Sequence, residues 1–164
     1  MNKADKLTVV AELTETFKAN NFVYLADTTG LSANNTNKLR RLLFERGVEM
    51  RMVKNTLLRI AMEDSGKDFG ALKDALKGTT CVLTSVSQRT PAESIKDFRG
   101  ATQSVVLKGA WIDNAVFLGD DQLATLVKLK TKEDLIGEII GLLQSPAQRV
   151  ISALQNHFKD EEVA

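Results

Sequence analysis

The sequence predicts an α/β (α+β) fold: a mixed four-stranded sheet packed by helices, with a C-terminal amphipathic helix kinked at a proline. Three observations carry this expectation. Short apolar runs alternate with segments of helical spacing, the pattern of helices layered on a sheet. Within the stretch from Val48 to Ala61 the period itself switches. Val48, Met50 and Met52 alternate with Glu49, Arg51 and Val53, and then Leu57, Leu58, Ala61 and Met62 fall at helical spacing. Beyond Lys132 the alternation stops, and apolar residues recur only at helical intervals.

In chain order, Leu7, Val10 and Leu13 place a first helix over 3–18. Phe22-Val-Tyr-Leu-Ala26 is a buried strand, closed by the turn Asp27-Thr-Thr-Gly30, in which Gly30 can take positive φ. Ser32 caps a second helix that runs to Arg46 and stops at Gly47. Its inner stripe is Leu39, Leu42 and Leu43, so Lys38 and Arg41 point outward and Arg40 lies on a flank. The second strand and third helix follow, with Asn55 at their junction, where its side-chain oxygen can cap the free helical N–H groups. A loop at 64–68 precedes a short helix through Ala71, Leu72, Ala75 and Leu76, broken by Gly78. Thr79–Thr84 forms the third strand, Pro91 opens a helix to Phe98, and Ser104–Ile112 is the fourth strand, where Gly109 marks a bulge. Trp111 on that strand packs in the core. Asp113-Asn-Ala begins a turn, and Asp121–Val127 is another short helix.

The chemistry that composition excludes is as informative. At 43% hydrophobic and 26% charged residues the chain is a folded protein, not a disordered one. One cysteine (Cys81, inside an apolar strand) and one histidine (His157) rule out an internal disulfide and argue against a zinc site or Cys–His catalysis. There is no P-loop, no G-x-G-x-x-G and no serine-nucleophile elbow, so neither enzyme activity nor a cofactor is expected. The N-terminus lacks the apolar core of a signal peptide, and no apolar run approaches the ~20 residues that span a bilayer. The expectation is an intracellular, soluble chain.

The net charge of +1 conceals a segregation. Between Lys38 and Arg59, the bases Lys38, Arg40, Arg41, Arg46, Arg51, Lys54 and Arg59 face only Glu45 and Glu49. From Glu133 onward, Glu133, Asp134, Glu138, Asp160, Glu161 and Glu162 face only Arg149 and Lys159. A basic block and an acidic tail suit two different partners. Lys54, Asn55 and Thr56 sit around a helix N-terminus, which favours anions through its free N–H groups and dipole, and Arg59 follows one turn later. From the residues alone, phosphate binding and ordinary solvation of these bases stand level. Lys3 and Lys6 at the start of the first helix could point at RNA, although for them ordinary solvation is the simpler reading.

In the tail, Leu135, Ile136, Ile139, Ile140 and Leu143 form one apolar stripe, and Ala147, Val150, Ile151, Leu154 and Phe158 another. Pro146 divides them, with Ser145 placed to cap the second segment. Gly137 and Gly141 offer a place for close helix packing. The stripes can fold back on the domain or dock partner helices; an acidic polar face argues against a membrane.

The run from Gly47 to Arg59 resembles the bacterial ribosomal stalk-base family, the tenth protein of the large subunit, in which an Arg-Val-Val-Lys/Arg-Asn-Thr-Leu-Leu segment is typical. Asp27-Thr-Thr-Gly-Leu31 and Lys77-Gly-Thr-Thr80 match in order, and the likeness covers essentially the whole chain. Thr79 stands where the family usually has proline, and Ile60 where a second arginine is common. The resemblance implies a non-catalytic scaffold in the cytoplasm, on the ribosome. Residues 1–130 would bind large-subunit rRNA through Lys6, Gly30, Lys38, Arg41, Arg51, Lys54, Asn55, Thr56 and Arg59, next to the neighbouring stalk-base ribosomal protein. Residues 131–164 would protrude and carry dimers of the acidic stalk protein on Leu135, Ile136, Ile139, Ile140, Leu143, Val150, Ile151, Leu154 and Phe158, one dimer per stripe, two in all. Those dimers recruit translational GTPases, and the same basic face would serve repression of the family's own messenger RNA. The alternative is a helix-docking adaptor whose α/β domain binds a protein or a nucleotide.

Overall fold

The computed structural model describes residues 3–102 and 105–162, and it divides into two compact units, Met1–Leu129 and Lys130–Ala164. In the first unit, helix α1 (Lys3–Ala19) leads into strand β1 (Phe22–Asp27), helix α2 (Ala33–Glu45), strand β2 (Glu49–Met52) and helix α3 (Asn55–Asp64). After a 3-10 turn (Gly70–Lys73) come β3 (Cys81–Ser85), α4 (Thr90–Thr102), β4 (Val106–Ile112), β5 (Ala115–Leu118) and, beyond a second 3-10 turn, α5 (Leu123–Lys128).

The α/β class holds, with two corrections to the sheet. It has five strands in the order β2-β3-β1-β4-β5, and every pairing is antiparallel, not mixed. The added strand, β5, returns from β4 through Asp113 (φ 44°) and Asn114 (φ 71°). Two consecutive positive-φ residues match the right-handed twist of a hairpin, and Asp and Asn tolerate that region best among non-glycine residues.

Alternation along the strands sends side chains to two separate cores. Tyr24, Ala26, Cys81, Leu83, Ala110 and Ile112 pack against α2, α4 and α5 through Leu39, Leu43, Ile95, Phe98 and Leu126. Val23, Leu25, Val82 and Trp111 pack on the other face against Leu13 and Phe17 of α1 and Leu58, Ala61 and Met62 of α3. Helices α2 and α3 therefore lie on opposite faces of the sheet. Trp111 is buried, as expected, and its indole donates to Asp68 O at 2.9 Å. The Lys67 ammonium lies 4.8 Å from the Trp111 ring centroid. Cys81 is a buried small apolar residue whose thiol burial pushes up to about 12.

The second unit contains one helix, α6 (Lys132–Glu162). Thr131 and Asp134 cap it reciprocally: the Asp134 N–H donates to Thr131 Oγ1, and the Thr131 N–H to Asp134 Oδ2, both at 3.1 Å. The expected division at Pro146 is absent, because α6 continues through it. Proline has no N–H, so it frees the carbonyl four residues back, that of Leu142. Ser145 does not cap a new segment; its hydroxyl donates to that carbonyl at 3.3 Å. Leu135, Ile136, Ile139, Ile140, Leu143, Val150 and Ile151 are all exposed. The side chains of Leu154 and Phe158, like all of Ser104, lie outside the described residues.

Candidate nucleic-acid interface

One end of the sheet gathers three segments that are distant in sequence. Strand β1 ends at Asp27, β2 ends at Met52 ahead of α3, and β3 begins at Cys81 after the 77–80 loop. A cleft of about 430 Å³ opens there, lined by Met52, Val53, Lys54, Asn55, Thr56, Gly78, Thr79 and Thr80. Lys54 is the N-cap residue of α3, and its carbonyl takes the Leu57 and Leu58 N–H groups at 2.9 and 3.1 Å. The N–H groups of Asn55 and Thr56 belong to the first turn, which no helix carbonyl can reach. They lie at the positive end of the helix, beside the exposed Lys54 ammonium.

Asn55 does not cap α3. It is the first helical residue, and its side-chain amide donates to Leu76 O at 3.1 Å and Gly78 O at 2.8 Å. Both acceptors lie on the loop between the 3-10 turn and β3, so the amide ties that loop to the helix start.

A second clamp was not anticipated. Lys108 Nζ donates to Lys77 O at 2.5 Å, Thr79 O at 2.6 Å and Thr80 Oγ1 at 3.1 Å, and pairs with Asp27 Oδ2 at 3.3 Å. The β1–β4 register explains its aim. Leu25 pairs with Gly109 and Ala26 with Leu107, so Lys108 is the extra residue of a bulge. Gly109 is required beside it: a Cβ there would meet Leu72 Cδ1 at 2.5 Å and Phe117 O at 2.7 Å. Burial alone would push the Asp27 carboxyl up, but the Thr29 hydroxyl and N–H and the Lys108 ammonium outweigh it and hold it below the usual value. The signal in the sequence was a single lysine inside the otherwise apolar run from Val105 to Ile112.

The other expected residues distribute around the β2 edge of the sheet. Arg51, on β2, is engaged by Glu49 at 2.7 Å and by Glu12 of α1 at 3.2 Å. Arg59 meets Glu63 at 3.6 Å. Lys6 is exposed on α1, on the α3 side, whereas Lys38 and Arg41 are exposed on α2, on the opposite side. The structure thus does not bring Lys38 and Arg41 together with Arg59; the edge strand stands between them. Gly30 takes φ +82° in the turn after Asp27, and Ser32 caps α2 by accepting from the Asn35 N–H at 3.4 Å. Arg46 is structural, joined to Asp97 of α4 at 2.6 Å.

This arrangement combines an electropositive helix start, exposed bases and a loop held by its carbonyls. The sequence pattern described as ribosomal protein L10 matches residues 1–100. The large ribosomal subunit protein uL10 of Flavobacterium johnsoniae is 47% identical over 99% of this chain and 97% of its own length. The chain belongs to the ribosomal protein L10 family. Likeness to other members extends over similar spans: uL10 of Flavobacterium psychrophilum is 47% identical over 100% of this chain and 99% of its own, and uL10 of Amoebophilus asiaticus 40% over 95% and 91%. The L10 match and the full-length identity together include both segments that line the cleft and the end of β1 beside them. Among the described residues no group of three or more His, Cys, Asp or Glu side chains could hold a metal ion, and no helix is long and apolar enough to cross a membrane.

Proposed function

We propose that this L10-family chain is a non-catalytic component of the large ribosomal subunit, in the cytoplasm, that binds large-subunit rRNA with its first unit and carries acidic stalk-protein dimers on α6. The observation that carries the RNA half is the cleft formed by Lys54–Thr56 and Gly78–Thr80, whose loop Asn55 ties to α3 and Lys108 ties to Asp27 at the end of β1. Phosphates sit at the α3 N-terminus and Lys54. Arg51 and Arg59 exchange exposed carboxylate partners for phosphate, an exchange that costs little because exposed ion pairs are worth about 0–1 kcal/mol. Contacts of this kind position the protein, and RNA shape supplies specificity.

For the tail, support comes from the exposed stripe from Leu135 to Ile151 on a capped helix, a surface suited to receiving partner helices. Through the dimers the chain recruits translational GTPases without touching them, beside the neighbouring stalk-base protein. Two dimers remain the proposed number, although the helix that carries them is continuous; native mass spectrometry of the reconstituted complex showing three would exclude it.

Two experiments test the reading. Replacing Arg51, Lys54 and Arg59 together by Ala weakens binding to large-subunit rRNA and lowers the slope of log K against log salt by about two to three. An unchanged slope moves the site elsewhere. Separately, a chain ending at Lys130 retains rRNA and loses the acidic dimer on co-purification; loss of both would mean that the tail belongs to the folded core.

A further inference from the structure

Beyond the cleft, a second groove lies between α2 and the edge strand β2. It has a volume of about 370 Å³ and is lined by Arg40, Arg41, Phe44, Val48, Glu49 and Met50. Phe44 is 84% exposed, among the described residues of the sheet-bearing unit the most exposed large apolar side chain after Val86. Arg40 and Arg41 precede it by four and three residues, so all three share one face of the helix.

The arginines of this unit fall into two classes. Arg46, Arg51, Arg59, Arg89 and Arg99 each meet a carboxylate within 4.0 Å. Arg40 and Arg41 form no ion pair among the described residues. The one acid on the groove, Glu49, is already held by Arg51 at 2.7 Å. An exposed aromatic ring thus stands beside two uncommitted guanidinium groups, over a floor of buried Val48 and half-buried Met50.

We propose that this groove receives one unpaired base of a single-stranded RNA segment, stacked on Phe44, with the adjoining phosphates on Arg40 and Arg41. A base offers an apolar π-face and carries its own anion on the same strand, which is the combination of an aromatic platform and paired cations. A protein strand added at the β2 edge would need an acidic sequence to satisfy both arginines and would leave the ring without a specific role. Duplex RNA keeps its base faces stacked and hidden, so the groove discriminates for single strands. The proposal rests on the RNA-binding reading and adds to it a second contact, on the opposite side of the sheet from α3.

The test uses the full chain with two probes: deproteinised large-subunit rRNA, and an unstructured single-stranded RNA of about 12 nucleotides with a duplex of the same length as control. Phe44→Ala weakens binding to the single strand about 5- to 150-fold, leaves duplex binding unchanged and leaves the salt slope unaltered. Phe44 is so exposed that this change does not unfold the protein. Phe44→Trp restores affinity, and its fluorescence is quenched by the single strand over the constant background of buried Trp111. Replacing Arg40 and Arg41 by Ala lowers the salt slope. If the wild-type chain binds rRNA with a steep salt slope but Phe44→Ala binds the single strand equally well, or Phe44→Trp is not quenched, the stacking site is wrong and the RNA reading survives. If the wild-type chain binds neither probe in a salt-dependent way, both fail, and the groove falls to a protein segment.

Discussion

Replacing Lys108 by Met keeps the length and apolar stem of the side chain while removing its charge and its donors. Four acceptors lose their partner: Lys77 O, Thr79 O, Thr80 Oγ1 and Asp27 Oδ2. Hydrogen bonds to a charged group are worth about 1.5–3 kcal/mol each, but they do not add, and water takes over at the exposed Lys77 and Thr79 carbonyls. The cost is concentrated at Asp27, 26% exposed, against a lysine side chain that is only 11% exposed. A loss of about 2–4 kcal/mol is expected. Urea unfolding followed by the fluorescence of Trp111, the single tryptophan, measures it without interference from α6. A double-mutant cycle with Asp27→Asn isolates the pair: in the Lys108→Met background, Asp27→Asn costs about 1 kcal/mol less than in the wild type. The bulge would lose its assigned purpose if Lys108→Met cost under about 0.5 kcal/mol, or if the two changes were additive.

Gly109→Ala forces a methyl group against Phe117 O, a backbone atom that cannot rotate away, and lowers stability by about 2–4 kcal/mol in the same assay; a neutral result would mean that β4 and β5 separate at low cost. Cys81, buried with its thiol pushed up to about 12, resists a thiol reagent at pH 8 until urea unfolds the domain, and labelling of the native protein within seconds would contradict its burial. Asp120 is held below the usual carboxylate value first by the Arg99 side chain and also by the Leu107 N–H, and Asp27 is likewise depressed. A depressed folded value contributes stability that is present above the unfolded pKa and is lost as pH falls through the folded one. The urea midpoint therefore drops below about pH 4, and Asp120→Asn flattens that drop; an unchanged acid profile in the variant would remove Asp120 from the account.

What could be read from sequence was the structure whose causes are local. Ser32, Gly30 and Gly47 act within a few residues, so the limits of α2 and the turn before it were legible. The strand-to-helix switch at Asn55 was legible for the same reason. The role of Asn55 was not, because the carbonyls that accept from its amide lie 21 and 23 residues away and the N-cap position falls one residue earlier, on Lys54. Antiparallel pairing of β1 with both β3 and β4 was equally invisible: alternating strands and helices suggest parallel crossovers, and only the tertiary arrangement decides otherwise. Strand β5 was short, four residues, and was hidden behind a turn that was itself foreseen. Lys108 was passed over because a lysine in an apolar strand has no local partner to advertise it.

The same distinction governs the basic block. Counted along the chain, its seven bases formed one cluster; placed on the fold, they divide by face and by partner. Arg46 serves the α2–α4 junction, Arg51 and Arg59 are held by acids, and Arg40, Arg41, Lys38 and Lys54 form no ion pair among the described residues. An RNA strand that engages both Lys54 and Arg41 must pass around the β2 edge, since α2 and α3 lie on opposite faces. Charge density alone would favour a flat duplex laid on one face. The division of the free bases across an edge strand instead favours RNA that bends or opens there, and this is the geometry in which an unpaired base at Phe44 and phosphates at the α3 N-terminus can be held at once.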